Sequence, residues 1–259
     1  MNILLAFKAE PDLSMLAETD WQVAGKGNKG PDASLMRRVI GNDELGAAEI
    51  MLRARDRHPG VHLSAITLGD EHAMPILRHL KALGFERCVR LNSETDTRFA
   101  PAFVAERISR YIRQNAIDLV LLGTQSCEGQ NGQTGWMVAE MLNWPCLTQV
   151  TEVMPGASGF DVLCESLRHR QRWQLQHPAV LMVQNRGQMA LRVPGLRARM
   201  SASHAEIECI EEGASGVLPS HCLALQRQPI HRAGVIIQGG SVQDNVQQLW
   251  QDYLAERMK

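Results

Sequence analysis

Residues 123–135, which read GTQSCEGQNGQTG, carry the residue types and spacing in this chain that are best suited to chemistry. They follow an apolar run and lead into a predicted amphipathic helix over residues 132–143. The first turn of a helix presents unpaired N–H groups and the positive end of the helix dipole, so a phosphate is stabilised there. Gly129, Gly132 and Gly135 allow the backbone to approach an anion, and the Gln, Asn and Thr side chains supply neutral hydrogen-bonding groups. The loop is therefore typical of a nucleotide phosphate site, although a turn that only caps the helix fits its composition equally well.

Two common phosphate-binding patterns are absent from this loop. The phosphate-hydrolysing pattern G-x-x-x-x-G-K-[ST] requires a Lys followed by Ser or Thr, and the loop contains no Lys. The three glycines are spaced G-x-x-G-x-x-G, whereas the dinucleotide fingerprint is G-x-G-x-x-G. Neither of these two standard nucleotide sites is predicted.

The elements that must position this loop alternate between short apolar runs and amphipathic helices. The predicted strands cover residues 3–7, 61–68, 88–91 and 117–122, and the predicted helices begin at Asp43, near Asp70 and, with Asp96 or Thr97 as the cap, before Phe103. Such alternation is typical of right-handed β-α-β units around a parallel sheet, in which ligands bind outside the carboxyl ends of the strands. We therefore predict an α/β fold of the Rossmann-like three-layer type with a mostly parallel sheet.

The pattern changes in the second part of the chain. Residues 160–167 and 172–176 predict the two arms of an antiparallel β-hairpin, and residues 178–184 return to a buried strand. From Gly187 onward, Gly and Pro residues interrupt the chain until a predicted terminal helix over residues 242–257. We therefore expect a β-hairpin and an irregular C-terminal extension that ends in a helix.

Composition and charge argue against several classes of protein. The chain has 27 basic and 28 acidic residues, so its net charge of −1 supplies no field for nucleic acid, and no nucleic-acid partner is expected. No apolar segment reaches the length of a membrane-spanning helix, so no direct membrane insertion is expected. The six cysteines form no C-x-x-C pair, and the nine histidines show no H-x-x-x-H spacing, so no metal site is predicted. These features favour a reduced, cytoplasmic chain.

The loop and the helix after it resemble a known family signature. Residues 123–135, followed by Ala139-Glu140-Met141-Leu142 and Trp144-Pro145, are similar to the pattern G-x-Q-[AS]-x-D-x-D-x-x-Q-[TV]-G with a helix that ends near W-P. The opening NILLAFKAEPD, the segment LGDEHAMPILRHLKALG and the strand HPAVLMV are similar to other segments of the same family. On these residues the chain resembles the β subunit of the electron transfer flavoproteins along nearly its whole length.

The resemblance implies a protein partner and nucleotide cofactors. Members of this family pair with an α subunit, and the heterodimer carries FAD, which the α subunit mostly holds. The β subunit binds an adenine nucleotide of its own, which is AMP in many members and a second FAD in those that bifurcate electrons. Residues 1–186 then form the nucleotide-binding α/β domain, and residues 187–259 form a partner-docking loop and an extension that packs on the α subunit.

The resemblance also implies which residues bind the nucleotide. Residues 125–134 hold the phosphate, and Ala6 and Leu68 lie near the adenosine through backbone contacts. Glu128 replaces the family's Asp and is expected to accept backbone or ribose hydrogen bonds. Thr134, which stands where some members have Val, favours AMP. The predicted cofactor-binding residues are Ala6, Asn42, Leu68, Gly123, Gln125, Ser126, Glu128, Gly129, Gln130, Asn131, Gly132, Gln133 and Thr134.

Two segments depart from the family pattern. The family's N-P-x-x-E segment corresponds to residues 40–44, where Asn and Pro are missing from their usual places and the ability of Asn42 to substitute stays open. The family also has a loop that docks a dehydrogenase through an exposed Leu, and the corresponding residues are Leu191, Arg192 and Val193. The alternative for Leu191 and Val193 is that they pack beneath the C-terminal extension. The altered loop predicts a dehydrogenase different from those of the best-known members.

The function implied by this resemblance is electron transfer. With an α subunit that carries FAD, the chain is expected to accept electrons from a flavin dehydrogenase and pass them to a quinone-linked or similar acceptor. Because the redox chemistry belongs to the flavin, no catalytic acid, base or nucleophile is predicted. Two alternatives stay open, namely a stand-alone ATP/AMP-binding α/β protein of the stress or nucleotide-processing type and a subunit that has lost its nucleotide.

Overall fold

A computed structural model describes the chain over nine segments, and it divides into two compact units. The described residues are 1–27, 30–93, 95–156, 159–176, 178–185, 189–211, 213, 216–225 and 234–258. The two units are Met1–Leu225 and Gln226–Lys259. The predicted domain boundary between residues 186 and 187 lies outside the described residues and stays a prediction.

Strands and helices alternate through the first unit. The strands are β1 (Asn2–Phe7), β2 (Ala9–Pro11), β3 (Arg38–Ile40), β4 (His62–Gly69), β5 (Arg87–Asn92), β6 (Leu119–Gly123), β7 (Cys146–Leu147), β8 (Val150–Gly156), β9 (Gly159–Glu165), β10 (Arg170–Leu175), β11 (Ala179–Val183) and β12 (Glu208–Glu211). The helices are α1 (Glu18–Lys26), α2 (Asn42–Arg57), α3 (Met74–Ala82), α4 (Pro101–Gln114), α5 (Thr134–Leu142), α6 (Leu196–Ser203) and, in the second unit, α7 (Val242–Leu249).

The central sheet has seven strands in the order β12-β5-β4-β1-β6-β11-β7, and all of its neighbouring strands are parallel. The chain builds β4 and β5 on one side of β1 and then returns to build β6 and β11 on the other side. The strand order therefore reverses between β1 and β6, which is the place where open α/β sheets form a ligand-binding crevice. The predicted Rossmann-like α/β fold is confirmed.

Helices cover both faces of this sheet because successive side chains of its strands point to opposite faces. Ile3, Leu5 and Phe7 of β1 face a core that also contains apolar residues of α2, α3, β8 and β9. Leu4 and Ala6 face a second core, which contains apolar residues of α4 and α5. Strands that are buried on both faces explain the continuous apolar runs that predicted them.

Two small antiparallel sheets accompany the central one. The strands β8, β9 and β10 form the first, so the predicted hairpin is confirmed and extended by a third strand. The strands β2 and β3 form the second, which the sequence did not predict. It leads directly into α2 and brings the end of β1 close to the start of that helix.

The start of α4 differs from the prediction. The helix begins at Pro101 with Ala100 as its N-cap residue, and no side chain caps it, so the prediction of a cap at Asp96 or Thr97 was wrong. The Asp96 carboxylate instead accepts a hydrogen bond from the backbone N–H of Arg98 at 3.0 Å and pairs with the Arg98 guanidinium at 2.7 Å. A proline favours the first turn of a helix because its nitrogen carries no hydrogen to be satisfied.

After β11 the chain travels to the opposite edge of the sheet. The helix α6 packs against α3, and β12 then pairs in parallel with β5. Arg87 next to this pair binds Glu208 with two hydrogen bonds of 2.7 Å. Residues 189–211 therefore form a strap that runs from the side of the sheet near β11 to the edge strand β12.

The second unit contains α7, whose predicted position near residues 242–257 is confirmed. Ser241 and Asp244 cap it reciprocally, since the Asp244 backbone N–H donates to Ser241 Oγ and the Ser241 backbone N–H donates to the Asp244 carboxylate. The helix continues as a π-helical turn over Trp250–Leu254. Its large apolar side chains are exposed, namely Val242, Val246, Leu249, Trp250, Tyr253 and Leu254.

Candidate functional site

A narrow slot of about 100 Å³ opens at the carboxyl ends of β1, β4 and β6, where the strand order reverses. Apolar side chains of the strands and of α4 form its walls, and the loop after β6 forms its polar side. The lining residues are Ala6, Phe7, Lys8, Glu44, Ile66, Thr67, Leu68, Thr97, Arg98, Pro101, Val104, Ile108, Leu122, Gly123, Thr124, Gln125, Ser126, Asn131, Gly132, Gln133 and Thr134. The slot therefore has the position expected for a ligand in this class of fold.

The first half of the loop after β6 is held by the buried carboxylate of Asp43, which lies in the first turn of α2. One of its oxygens accepts the backbone N–H groups of Thr124 and Gln125 at 3.1 and 3.2 Å. The other oxygen accepts the backbone N–H of Asn185, just after β11, at 2.8 Å. One side chain thus fixes the ends of two neighbouring strands.

A second buried carboxylate, that of Glu10 in β2, holds the middle of the same loop. Its oxygens accept the Cys127 backbone N–H at 2.9 Å and the Cys127 thiol at 2.7 Å. Burial and this hydrogen bond to Glu10 raise the pKa of Cys127 to about 12. Cys127 is therefore a protonated thiol at neutral pH and not an activated nucleophile.

The loop reaches the helix through left-handed backbone conformations. Gly129, Gln130 and Gly132 have φ values of +82°, +41° and +63°, a region that favours glycine. A Cβ atom on Gly129 would overlap the backbone carbonyl oxygen of Arg98, so no other residue fits there without movement of the 96–98 segment. Asn131 Oδ1 accepts the Gln133 backbone N–H at 3.2 Å, immediately before α5. The loop therefore curls against the first turn of α5, as a phosphate site requires.

Close packing places the start of α5 directly over the sheet. A Cβ atom on Gly135 would lie 2.6 Å from Leu122 Cδ1 and 2.8 Å from Met182, so the glycine allows the helix to approach β6 and β11. The first turn of a helix has N–H groups without partners inside the helix, and Gly132, Gln133 and Thr134 at the start of α5 line the slot. Gly135 therefore serves close packing and Gly129 the turn, while phosphate binding by Gly129 and Gly132 stays a prediction.

Two cations adjoin the slot. Lys8, the residue after β1, donates to the Glu128 carbonyl oxygen at 3.3 Å and lies 3.9 Å from the Glu128 carboxylate. Arg98 is held by Asp96, and this hydrogen bond raises the pKa of Arg98 further. Both cations also line a neighbouring polar cleft of about 780 Å³, which shares Leu68 and Thr97 with the slot. The loop itself has no cation, but the surrounding segments supply two.

The structure brings most of the predicted cofactor-binding residues together. The predicted residues that line the slot are Ala6, Leu68, Gly123, Gln125, Ser126, Asn131, Gly132, Gln133 and Thr134. Glu128 lines the neighbouring cleft, and Gly129 and Gln130, which follow it, form the turn of the loop. Asn42 is not among the lining residues of the slot or of the cleft. Its side-chain amide donates to the Asn185 carbonyl oxygen, and the Asn185 side-chain amide donates to the Asn42 carbonyl oxygen at 3.1 Å.

Several lining residues were not predicted. Lys8 directly follows a predicted strand of the parallel sheet. Because ligands bind at the carboxyl ends of such strands, its position in the sequence was the one signal that could have identified it. Arg98, Pro101 and Val104 come from the segment before α4 and from α4 itself, and only the tertiary fold places them at the slot. Glu44 was recognised only as part of an altered family segment, although it forms part of the wall.

The predicted docking residues Leu191, Arg192 and Val193 lie in the strap after β11, and each has different surroundings. Leu191 is partly buried and packs against the core of the first unit, while the alternative that it packs beneath the C-terminal extension stays untested. The Arg192 guanidinium donates to the Glu49 carboxylate of α2 at 2.9 and 3.1 Å and to Asp56 at 2.6 Å. The side chain of Val193 is 79% exposed. Arg192 therefore fixes a segment that presents Val193 to solvent.

Two other kinds of feature, a metal site and a membrane-spanning helix, are absent from the described segments. Among the described residues, no three His, Cys, Asp or Glu side chains are grouped so that they could hold a metal ion. Within the same segments, no helix has the length and apolar character that crossing a membrane requires.

Comparison with known proteins agrees with the fold and the loop. Residues 45–214 match the family model of the electron transfer flavoprotein domain. The chain is 47% identical, over the full length of both, to YgcR of Escherichia coli (strain K12), a protein assigned as an electron transfer flavoprotein subunit. It is 27% identical to the human electron transfer flavoprotein subunit beta over 74% of this chain and 77% of that one. It is 30% identical to the Bacillus subtilis subunit beta over 41% and 42%. The chain belongs to the electron transfer flavoprotein family and is homologous to its β subunits.

Proposed function

We propose that this chain is the β subunit of a cytoplasmic electron transfer flavoprotein. It binds an adenine nucleotide in the slot and pairs with an α subunit that carries FAD. The pair accepts electrons from a flavin dehydrogenase and passes them to a quinone-linked or similar acceptor. The observation that supports this most directly is the polar loop of residues 124–133, which two buried carboxylates fix against the first turn of α5. The bound flavin supplies the redox chemistry, and this chain supplies binding and position.

The residues around the slot fit an adenine nucleotide. The first turn of α5 and the loop offer N–H groups to a phosphate, and Lys8 and Arg98 add positive charge. Ile66 and Val104 provide an apolar wall for a planar base. The slot alone is smaller than a nucleotide, but slot and cleft together fall within the usual range of small-molecule sites, about 300 to 1,000 Å³. This space accepts AMP and leaves room for part of a second FAD.

The same surroundings support a nucleotide that is held and not processed. No Lys lies in the loop, and the only thiol there, Cys127, keeps its proton because of burial and Glu10. The neutral Gln and Asn side chains of the loop can bind a phosphate but cannot act as general bases at neutral pH. A structural nucleotide is consistent with both facts.

Two exposed apolar surfaces support the proposal that the chain binds protein partners. The apolar side of α7 in the second unit is exposed, and it is the surface that we assign to the α subunit. In the first unit, Val193, Leu196 and Met200 expose apolar side chains next to the fixed Arg192, and we assign them to the flavin dehydrogenase. Exposed apolar groups of this kind mark interaction surfaces.

Co-expression with candidate α subunits tests this proposal. We expect a yellow complex that survives size-exclusion chromatography, with FAD identified from its absorption spectrum. Denaturation of the complex, followed by mass spectrometry of the released small molecules, distinguishes AMP in addition to FAD, FAD in excess of one per heterodimer, and FAD alone. A chain that stays colourless and single with every α subunit, yet binds or hydrolyses ATP, contradicts the proposal and supports the stand-alone nucleotide protein.

A further inference from the structure

A further cavity is lined by residues of both the central sheet and the three-stranded sheet. It measures about 280 Å³, and its walls come from β7, from the two residues that join β7 to β8, from β9 and β10, and from the turn between these two strands. None of its lining residues also lines the slot or the neighbouring cleft. The cavity is therefore separate from the site proposed for the nucleotide.

The backbone is irregular where the chain passes this cavity. Gln149, one of the lining residues, has a φ of +57°, in the left-handed region that residues with a side chain rarely adopt. Its carbonyl oxygen accepts the Glu165 backbone N–H at 2.9 Å, and the register between β8 and β9 shifts just after it, between Val150 and Glu152. Glycine would adopt this conformation at lower cost. A glutamine that is held in a strained conformation beside a cavity indicates a use for its side chain.

Four polar side chains line the cavity without a hydrogen-bonding partner. The Thr148 hydroxyl, the Gln149 and Gln171 amides and the Trp173 indole N–H exchange no hydrogen bond with any described residue. Together they offer both donors and acceptors. Thr148 and Gln149 are half-buried, so their polar groups are held along the wall of the cavity and not in open solvent.

The remaining walls of the cavity carry little charge. No Asp, Glu, Lys or Arg lines it. Burial raises the pKa of Cys146 to about 11 and also raises the pKa of Cys164, so both lining thiols are neutral. In the part of the chain that the structure describes, these thiols and His169 do not form a group that could hold a metal ion. Trp173 is 45% exposed and adds an aromatic surface against which a ring can pack.

We propose that this cavity binds a neutral, hydroxyl-rich molecule of about the size of a monosaccharide. Its hydroxyl groups exchange hydrogen bonds with Thr148, Gln149 and Gln171, and its ring packs against Trp173. Because no lining side chain forms an ion pair with a phosphate or carboxylate, the site favours an uncharged sugar or polyol. The cavity lies near the lower end of the usual range of small-molecule sites, about 300 Å³, which suits one ring and not a nucleotide.

Two-dimensional ¹H–¹⁵N NMR of the ¹⁵N-labelled full chain tests this inference, because indole and side-chain amide N–H groups give signals of their own. The probes are D-glucose, D-galactose and myo-inositol, each added separately. A hexose has about a dozen non-hydrogen atoms, for which the usual binding energy per atom gives a dissociation constant of about 1 mM. We expect at least one probe to shift the signals of Trp173, Gln149 and Gln171 in a saturable manner.

Two variants and a matched control separate a ligand contact from a structural role. In Gln149→Gly the left-handed conformation is relaxed, so stability should be kept or rise, whereas loss of the amide should weaken binding about fivefold. Trp173→Leu removes the aromatic surface and should weaken binding about tenfold. Asn143→Gly is the control, because Asn143 has a φ of +55° but does not line the cavity, and it should bind as the wild type does.

The results leave the proposed function and this inference independent of each other. The inference is overturned if no probe shifts the Trp173 signal, or if Gln149→Gly and Trp173→Leu both keep wild-type affinity. Tighter binding of D-glucose 6-phosphate than of D-glucose also overturns it, since a charge would then dominate recognition. Should Trp173→Leu not fold, Gln149→Gly decides alone. Loss of AMP or of the α subunit has no bearing on this cavity, because the two sites share no lining residue.

Discussion

The helix α2 holds, by different chemistry, the two segments to which the proposed function assigns nucleotide binding and docking. The nucleotide loop, residues 124–133, is held through Asp43, which accepts only backbone N–H groups. The docking segment, residues 191–193, is held mainly through Glu49, which binds the side chain of Arg192. A backbone anchor fixes the shape of a loop whatever its side chains are, whereas a side-chain anchor requires one particular residue. The difference suits a site that keeps one ligand and a surface that must select one partner.

The largest expected effect comes from removal of the backbone anchor. In Asp43→Ala, the N–H groups of Gln125 and of the buried Asn185 lose their acceptor, whereas the N–H of Thr124 keeps the Val183 carbonyl oxygen at 3.0 Å. Each such loss costs about 1 to 3 kcal/mol, so we expect the free energy of unfolding to fall by about 2 to 4 kcal/mol, together with nucleotide affinity. Urea denaturation and calorimetry measure the two effects.

Asp43→Asn is the matched variant for this experiment. Its single carbonyl oxygen can serve one end of the anchor, while its NH₂ group meets N–H donors at the other end. An intermediate loss is therefore expected. A fall of less than about 1 kcal/mol in Asp43→Ala would show that the loop does not depend on the backbone anchor.

Removal of the side-chain anchor should have a smaller effect that is confined to the docking segment. In Arg192→Ala, Glu49 keeps Arg53 and the Arg192 backbone N–H, so we expect a loss of about 1 to 2 kcal/mol in unfolding free energy. Nucleotide affinity should not change. Arg192→Lys keeps the positive charge but loses the planar group that binds two carboxylate oxygens at once. Its free energy of unfolding should therefore lie between those of Arg192→Ala and the wild type.

The stability that the contact between Arg192 and Glu49 contributes should depend on pH in a definite direction. Burial would raise the pKa of Glu49, but hydrogen bonds from Arg192 and Arg53 outweigh it and lower that pKa below its usual value of 4.5. A lowered pKa gives stability that is present above about pH 4.5 and is lost as the pH falls through the folded-state pKa. The melting temperatures of Arg192→Ala and wild type should therefore differ at pH 7 and converge in acid. A difference that does not shrink as the pH falls below 4.5 would show that Glu49 is not the group concerned.

The smallest effect on stability is expected at Val193, although its effect on the partner is the most specific. Because the side chain is 79% exposed, Val193→Ser should change the free energy of unfolding by less than about 0.5 kcal/mol. We expect the concentration of carrier that half-saturates the flavin dehydrogenase to rise several-fold, with nucleotide affinity unchanged. Val23→Ser, at an exposed valine of α1, is the control. Equal kinetics for the two variants would remove Val193 from the docking surface.

The sequence allowed the main elements of the fold to be predicted because buried parallel strands leave continuous apolar runs. The helix α1 was missed, since none of its residues is buried and it has no strong apolar side. The cap predicted at Asp96 was wrong because Pro101 sets the helix start and Asp96 binds Arg98 two residues later. A local sequence pattern does not show whether an acidic side chain caps the following helix or binds a nearby arginine.

The candidate site was predictable as a loop but not as a cavity. The spacing of residues 123–135 and the carboxyl-end rule located the polar side correctly. The anchors Glu10 and Asp43 and the cation Arg98 come from segments that are distant in sequence, and only the fold brings them to the loop. Burial, which raises the pKa of Glu44, is a property of the folded chain and cannot be read from the residue type.

The strap between β11 and β12 has a consequence for the order in which the chain is completed. Arg90 and Cys209 meet in the sheet although 119 positions separate them, so β12 can pair only after most of the first unit has left the ribosome. The inner strands can assemble earlier, because β1, β4, β5 and β6 all lie within the first half of the chain. The strap that contains the docking segment is therefore joined to the sheet through β12 only after the inner strands can form. A nascent chain can form the crevice proposed for the nucleotide before the proposed docking surface is complete, and that surface is complete only once synthesis has passed β12.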